Sequence, residues 1–423
     1  MSLFSSSNPD SSPSSHKNEH PSFSEAVLDS SSRTRDSIPE QYRETFNELR
    51  DGILVFCKEF QIPVESLSNT ETFEAALRSK KIPPKRMAEA VLLFQRLEYL
   101  IANKEPLKED HTEALEYADR LFHLTEQYTA QVSLLERAGI LKDGGITGID
   151  GNNYPIPSLE EIAERLYSPE RRELFEIKQD QKFIKLLLVP FGMSLDELIE
   201  IFKQFLKIYK NTHSDFDLVV DTPFFILPVN QEYFQEADIG NSPKLLYNPQ
   251  PCKNWKHPGK TKLQIIEDQS VGHDFAPGWK VLFLQASHQS TRGFRSIPRQ
   301  GKGRREGGEI SRPDVEADKN PEEYLSLFLE AQRDPRSPYH GESGMTPEDW
   351  ILAFMTHLEE TGKPLDSGIS YLGDYTFLIG SFFESSGDYF SAYWDQDKKQ
   401  ARLDKSSYTF RRGGIGVRSS VIV

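Results

Sequence analysis

The chain has 423 residues, 37% hydrophobic and 27% charged, with a net charge of −15, so it is too long for one ordinary domain and acidic enough to repel a nucleic-acid duplex from most of its surface. No run of about 18 apolar residues occurs, which excludes a helical membrane span. Two cysteines, Cys57 and Cys252, make no disulfide framework and fit a reducing cytoplasm.

Residues 1–38 are rich in serine and poor in apolar side chains, so a disordered tail is expected there. The opening MSLFSSSNPDSSPSSHKNEH lacks the basic start and apolar core of a secretory signal. Residues 39–141 read as a helical module. Phe46, Leu49, Ile53, Leu54 and Phe56 recur at helical spacing, as do Met87, Ala90, Val91, Leu92, Phe94, Leu97 and Leu100. A third helix is expected from about His111, with Leu115, Ala118, Leu121, Phe122, Tyr128, Val132 and Leu135 on its apolar face.

The turn-rich KDGGITGIDGNNYPIP ends that pattern and opens a helical connecting region over 142–214. Ser158 with Glu161, and Ser194 with Glu197, predict two capping boxes. The second helix carries Leu198, Ile201, Phe202, Phe205 and Tyr209 on one face. From about Asp215 short apolar runs such as DLVV, FFILPV, KLLYNP and KVLFLQ suggest strands. Two helices interrupt them. Asn320, Pro321 and Glu323 start one, Thr346 and Asp349 start the other, and Gly362 suits its end.

Signals for catalysis are sparse: there is no G-x-S-x-G, H-E-x-x-H or GxxxxGK[ST]. Cys252, His257 and His273 match no ordinary zinc spacing. Asp150–Asn153 has oxygen ligands but lacks the other positions of a calcium loop, so a turn is expected. GKGRREGG at 301–308 resembles a phosphate loop only loosely, since no helix follows to offer its N-terminus. The wider segment 292–312 holds seven basic and two acidic residues. It reads either as a solvated, mobile loop or as a surface that touches nucleic-acid phosphates.

The C-terminal GIGVRSSVIV alternates as a half-buried strand, with Ile415, Val417, Ser419, Val421 and Val423 out of phase with Gly416, Arg418, Ser420 and Ile422. Upstream lies a cluster of aromatic and charged side chains with the composition of a paratope. In DYFSAYW, Tyr389, Ser391 and Tyr393 share one face and Phe390, Ala392 and Trp394 the other. In a small domain both faces cannot be core, so one is expected to point outward.

IPRQGKG at 297–303, NPEEYL at 320–325, TPEDW at 346–350, Trp394, QARL at 400–403, and Gly416, Arg418 and Val421 together resemble the variable proteins of diversity-generating retroelements, including long forms from candidate-phyla bacteria. The resemblance covers about residues 260–423. It implies an α+β chain: a C-type-lectin-like domain of the formylglycine-generating-enzyme branch over 215–423, with two helices and an antiparallel β-meander, behind the all-α module and the N-terminal tail. Ser419, Ser420 and Ile422 depart from the family's usual Pro-Ala and Arg. What the resemblance implies for function is non-enzymatic binding of a macromolecular ligand, a protein, on a surface rewritten by mutagenic retrohoming. The matching variable positions are Asp388, Tyr389, Phe390, Tyr393, Asp395, Arg402, Asp404, Tyr408, Phe410 and Arg412. Trp394, Gln400, Ala401, Leu403, Gly416 and Arg418 match the fixed frame. The enzyme branch works through a cysteine pair near the core of this domain, and the only cysteine after Cys57 is Cys252. No cofactor or metal is implied. The alternatives are a fixed lectin-like module and nucleic-acid association through 292–312.

Overall fold

The structure, a computed structural model, describes residues 33–423 except 64–65, 68–69, 79, 81, 83, 105–110, 227–230, 241–242, 250–257, 273, 288–291, 370–371 and 374. The chain is a mixed α+β protein, 42% helical and 20% strand. It divides into two compact units at Asp110/His111. Most of the expected tail, and the Cys252, His257 and His273 trio, lie outside the described residues.

The first unit is helical: a short α1 (Arg33–Ser37), then α2 (Arg43–Phe60), α3 (Thr70–Arg78) and α4 (Pro84–Asn103). Its core gathers Phe46, Ile53, Phe56, Phe73, Phe94, Leu97 and Leu100, with Phe73 stacked on Phe94 at 4.7 Å. Ile38, expected in the disordered tail, is buried in this core. The third helix expected in this module belongs to the second unit instead. There α5 (Thr112–Phe122) and α6 (Leu124–Arg137) place Phe122, Leu124, Leu134 and Leu135 in a separate core.

In the second unit, β1 (Gly145–Thr147) and β2 (Asn153–Pro155) form a hairpin. After α7 (Leu159–Tyr167) and α8 (Arg172–Asp180) comes β3 (Phe183–Val189), a strand the sequence pattern does not announce. KFIKLLLV is a continuous apolar run, and a strand covered on both faces looks like a buried helix by periodicity. The region read as a helical connector is thus built into the main core.

β3 pairs antiparallel with β6 (Lys280–Gln285), whose other edge takes the C-terminal β17 (Ser419–Ile422). β17 in turn pairs β9 (Glu342–Gly344). The outer edge of β3 is closed by side chains. Gln127 and Gln131 of α6 accept from Leu186 N (3.1 Å) and Leu188 N (2.8 Å) and donate to the Ile184 and Leu186 carbonyls. Four residues of helix rise about 6 Å, close to the roughly 6.7 Å of two strand residues, so two glutamines one turn apart imitate a strand and protect the edge.

A second, larger sheet contains the aromatic hairpin. β14 (Tyr389–Asp395) runs antiparallel to β15 (Gln400–Ser406) on one side and to β12 (Tyr375–Leu378) on the other. β10 (Ser367–Ile369) continues along the β12 side of β14 in parallel, and β16 (Ile415–Val417) lies parallel to β12. β4 (Phe224–Ile226) is parallel to β15 at the edge. A plain antiparallel meander is therefore interrupted at three parallel pairings.

Three helices cover this sheet. α9 (Leu195–Thr212) and α13 (Pro347–Thr361) bring Phe202, Trp350 and Phe354 against the Trp394 face. α12 (Pro321–Ala331) brings Tyr324, Leu325 and Phe328 against the Tyr389 face. Of the expected caps, Ser194 accepts Glu197 N at the start of α9 without the reciprocal bond of a box. Asn320 and Glu323 form a reciprocal box at α12, as do Thr346 and Asp349 at α13, each helix with proline at its start. Gly362 ends α13 in the left-handed conformation (φ 70°). Buried charges tie the layers together. Arg418 grips Asp366, which also accepts Trp350 Nε1 at 3.0 Å. Arg312 is bidentate to Glu342, which also pairs Lys178 at 2.7 Å. Removing Arg418 or Asp366, or the shared Glu342, would leave a buried charge unpaired.

Candidate ligand-binding surface

All seven positions of β14 are buried. Tyr389, Ser391 and Tyr393 point into a core with Tyr375, Phe377, Ile415, Val417 and the apolar face of α12. Phe390 and Trp394 point the other way, against Phe234 (4.8 Å), Phe383 (4.7 Å), Phe216 (5.3 Å) and Phe354 (6.0 Å). The expectation that one face of DYFSAYW is presented outward is therefore corrected. Tyr389, Phe390 and Tyr393 are core side chains, because the hairpin is the middle layer of a helix–sheet–helix sandwich, in a unit much larger than a two-layer domain. Asp395 is also buried. It accepts the Asp397 and Lys398 amides (3.1 and 3.0 Å) and thereby shapes the β14–β15 turn.

The remaining members of the ten reach the surface. Asp388, Arg402, Asp404, Tyr408 and Arg412 are half-buried, and Phe410 is 40% exposed. Their order along the chain explains this: β15 has a helix-covered face carrying Ala401 and Leu403, and an opposite face whose cover thins toward the β4 edge.

Arg402 is the centre of that edge. Its guanidinium lies 4.9 Å from the Phe225 ring and 5.5 Å from the Tyr393 ring. It donates to Asp395 Oδ2 at 3.2 Å and Asp404 Oδ1 at 3.4 Å, while its Nε is buried with no hydrogen-bond partner among the described residues. Tyr393 donates its hydroxyl to Asp404 Oδ2 at 3.3 Å and packs 4.0 Å from Tyr375. Burial lifts the Asp404 carboxyl above its ordinary range, against the pull of Arg402. Burial and the neighbouring Asp404 also lift the Tyr393 phenol. Two carboxylates, one guanidinium and two rings thus meet at this edge, with a formal charge of −1 and one unused donor. Phe225, expected only as part of a strand, is absent from the ten contact residues, because only the parallel pairing of β4 with β15 brings it there.

Beyond β15, Ser407–Gly413 forms a loop held at two points. Phe410 N donates to Ser407 O at 2.9 Å, and Arg411 Nε to Asp318 O at 2.8 Å, with Glu323 3.7 Å from the Arg411 guanidinium. The anchored loop leaves the Phe410 ring partly exposed. On the opposite flank Lys405 pairs Asp388 at 3.1 Å and lies over the Tyr233 ring at 4.2 Å.

The frame residues are buried: Trp394, Gln400, Ala401, Leu403 and Arg418. A Cβ on Gly416 would run into Ile297, so only glycine fits there. Asp150 is a turn residue. Its carboxylate accepts from Asn152 N (3.1 Å), Asn152 Nδ2 (2.7 Å) and Tyr154 OH (2.5 Å), which closes the β1–β2 hairpin. Among the described residues no three His, Cys, Asp or Glu side chains converge to hold a metal, and no helix is long and apolar enough to cross a membrane. The basic segment is not uniformly solvated. Arg295 and Arg312 are buried, Arg295 pairing with Asp314 (2.7 Å) and Glu306 (3.3 Å), and Arg312 with Glu342.

No family model, curated protein or solved structure matches this chain.

Proposed function

We propose that this chain is a non-enzymatic ligand-binding protein, resident in the cytoplasm, whose C-terminal C-type-lectin-like domain presents a surface diversified by a retroelement. The observation that carries the reading is the β15 edge and the loop after it. An exposed Phe410 on a pinned loop follows a strand that offers Arg402 between two rings. Rigid aromatic and arginine groups of this kind give contact area at little entropic cost. Two features support the domain type: the C-terminal strand inserted between β6 and β9, and the α12 and α13 helices on opposite faces of the hairpin sheet. The ligand is macromolecular, a protein, because the accessible groups lie along an open edge and not in an enclosed cavity. The varied set is narrower than the resemblance implies: Asp388, Arg402, Asp404, Tyr408, Phe410 and Arg412, with Tyr389, Phe390, Tyr393 and Asp395 held by the core.

Sequencing the 3′ end of the gene and its flank across the source population tests this. The expected result is a near-copy of that end beside a reverse transcriptase, with mismatches at template adenines in the codons of those six residues. An invariant locus with no such copy overturns diversification and leaves a fixed lectin-like module. Variation that falls equally on Tyr389 and Tyr393 overturns the assignment of the surface.

A further inference from the structure

Within the basic segment 292–312, the turn at residues 299–303 closes on one carboxylate. Glu316 accepts Gly301 N on Oε2 at 2.8 Å and Gly303 N on Oε1 at 2.7 Å. The turn that aligns the two amides is closed by Lys302 N donating to Arg299 O at 2.9 Å, and it needs Gly301 in the left-handed region (φ 70°). A Cβ at Gly303 would lie 2.7 Å from Glu316 Oε1, so the carboxylate rests directly on bare backbone. Amides converging in this way form an anion-binding nest. The two donors also hold the Glu316 carboxyl below its ordinary range.

Around the nest, Arg299, Lys302, Arg304 and Arg305 are all exposed, and none makes an ion pair with a described residue. Of the three other cations of the segment, Arg295 and Arg312 are buried in ion pairs and Arg292 is exposed at its start. The nearby acids Glu306 and Asp314 pair with Arg295, and Asp314 also accepts Arg304 N at 2.7 Å. Four free cations within seven residues stand out on a chain of net charge −15.

We propose that this loop is a nucleic-acid phosphate-binding surface, and that Glu316 occupies its anion seat until a backbone phosphate displaces it. Four cations exceed what one small phosphate needs. Residues 299–308 contain no aromatic side chain to stack on a base and no apolar one to enter a lipid surface. The contact is with backbone, independent of sequence. With about four phosphates neutralised, log affinity falls with log salt at a slope of about −3 to −4.

Fluorescence anisotropy of a labelled single-stranded oligonucleotide with the full chain tests the proposal, in RNA and DNA versions. Glu316→Gln keeps a hydrogen-bond acceptor in the loop and removes the competing charge. It is expected to bind about tenfold more tightly than the natural chain, and Glu316→Ala at least as tightly. The combined Arg299→Gln, Lys302→Gln, Arg304→Gln and Arg305→Gln variant leaves the nest intact and is expected to lose binding. Inorganic phosphate is expected to compete. Binding that survives loss of the four cations overturns the surface. Equal affinity of the natural chain and both Glu316 variants overturns the masking. Capture of phosphatidylserine vesicles without oligonucleotide binding overturns the assignment to nucleic acid. Phe410→Ala is expected to leave this binding unchanged, so its outcome is separable from that of the C-terminal surface.

Discussion

β14 and β15 are adjacent strands of one hairpin, joined by a single turn, yet they differ in composition and occupy different environments: β14 (YFSAYWD) carries four aromatic residues and β15 (QARLDKS) none. β14 is buried at every position. β15 is buried on one face and reaches solvent through Arg402 and Asp404 on the other. The difference comes from layers supplied by distant sequence. Tyr389 and Tyr393 share a core with Tyr324, Leu325 and Phe328 of α12, whereas the neighbour on the far side of β15 is the short edge strand β4. Aromatic density in a strand therefore reports packing as readily as recognition. What marks a contact surface is a rigid side chain that the layers leave uncovered.

The comparison breaks most visibly at the core side. Trp394→Ala and Tyr389→Ala, on opposite faces of β14, should each cost about 3–5 kcal/mol in urea unfolding. A small loss at Tyr389 would reopen that face as a surface. Arg418→Met strands the buried Asp366 carboxylate and should cost about 3–5 kcal/mol. A loss below about 1 kcal/mol would mean that Asp366 is solvated.

A pH series sharpens the picture of the layer beneath. His357, on α13, accepts Phe294 N at 3.0 Å. Burial, followed by Arg418, Lys185 and Lys363, lowers its pKa to about 4 from 6.5. The unfolded chain then binds the extra proton at a higher pH than the folded one. Stability is complete above pH 6.5 and falls as the pH drops toward 4, by about 3 kcal/mol in all. His357→Gln should flatten that part of the profile, and an unchanged slope would contradict the assignment.

Smaller effects follow. Gly416→Ala should cost about 1–3 kcal/mol by pushing a methyl against Ile297. Phe410→Ala should change stability by no more than about 0.5 kcal/mol. A loss at Phe410 comparable with that at Tyr389 would erase the contrast between the strands.

Much of the helical scaffold was legible in the sequence, because its signals are local. Asn-Pro-Glu-Glu and Thr-Pro-Glu-Asp mark the starts of α12 and α13, and the Ser158–Glu161 box marks α7. What escaped depends on residues far apart in the chain. β3 is masked by its unbroken apolar run. Arg312 looks like one more solvated base until Glu342, 30 residues away, is placed beside it. Glu316 looks like a surface acid until its carboxylate is seen to fill the Gly301–Gly303 turn. Of the ten expected contact residues, those on β14 were misread for the same reason: no local signal announces the distant elements that bury both faces of the strand.

Hydroxyl-radical footprinting of the free protein, read by mass spectrometry, tests the central contrast most directly. Phe410 should be oxidised readily and Tyr408 partly, while Tyr389, Phe390 and Tyr393 stay protected. Oxidation of Tyr389 or Tyr393 at the rate of Phe410 would contradict it and return the β14 face to the binding surface.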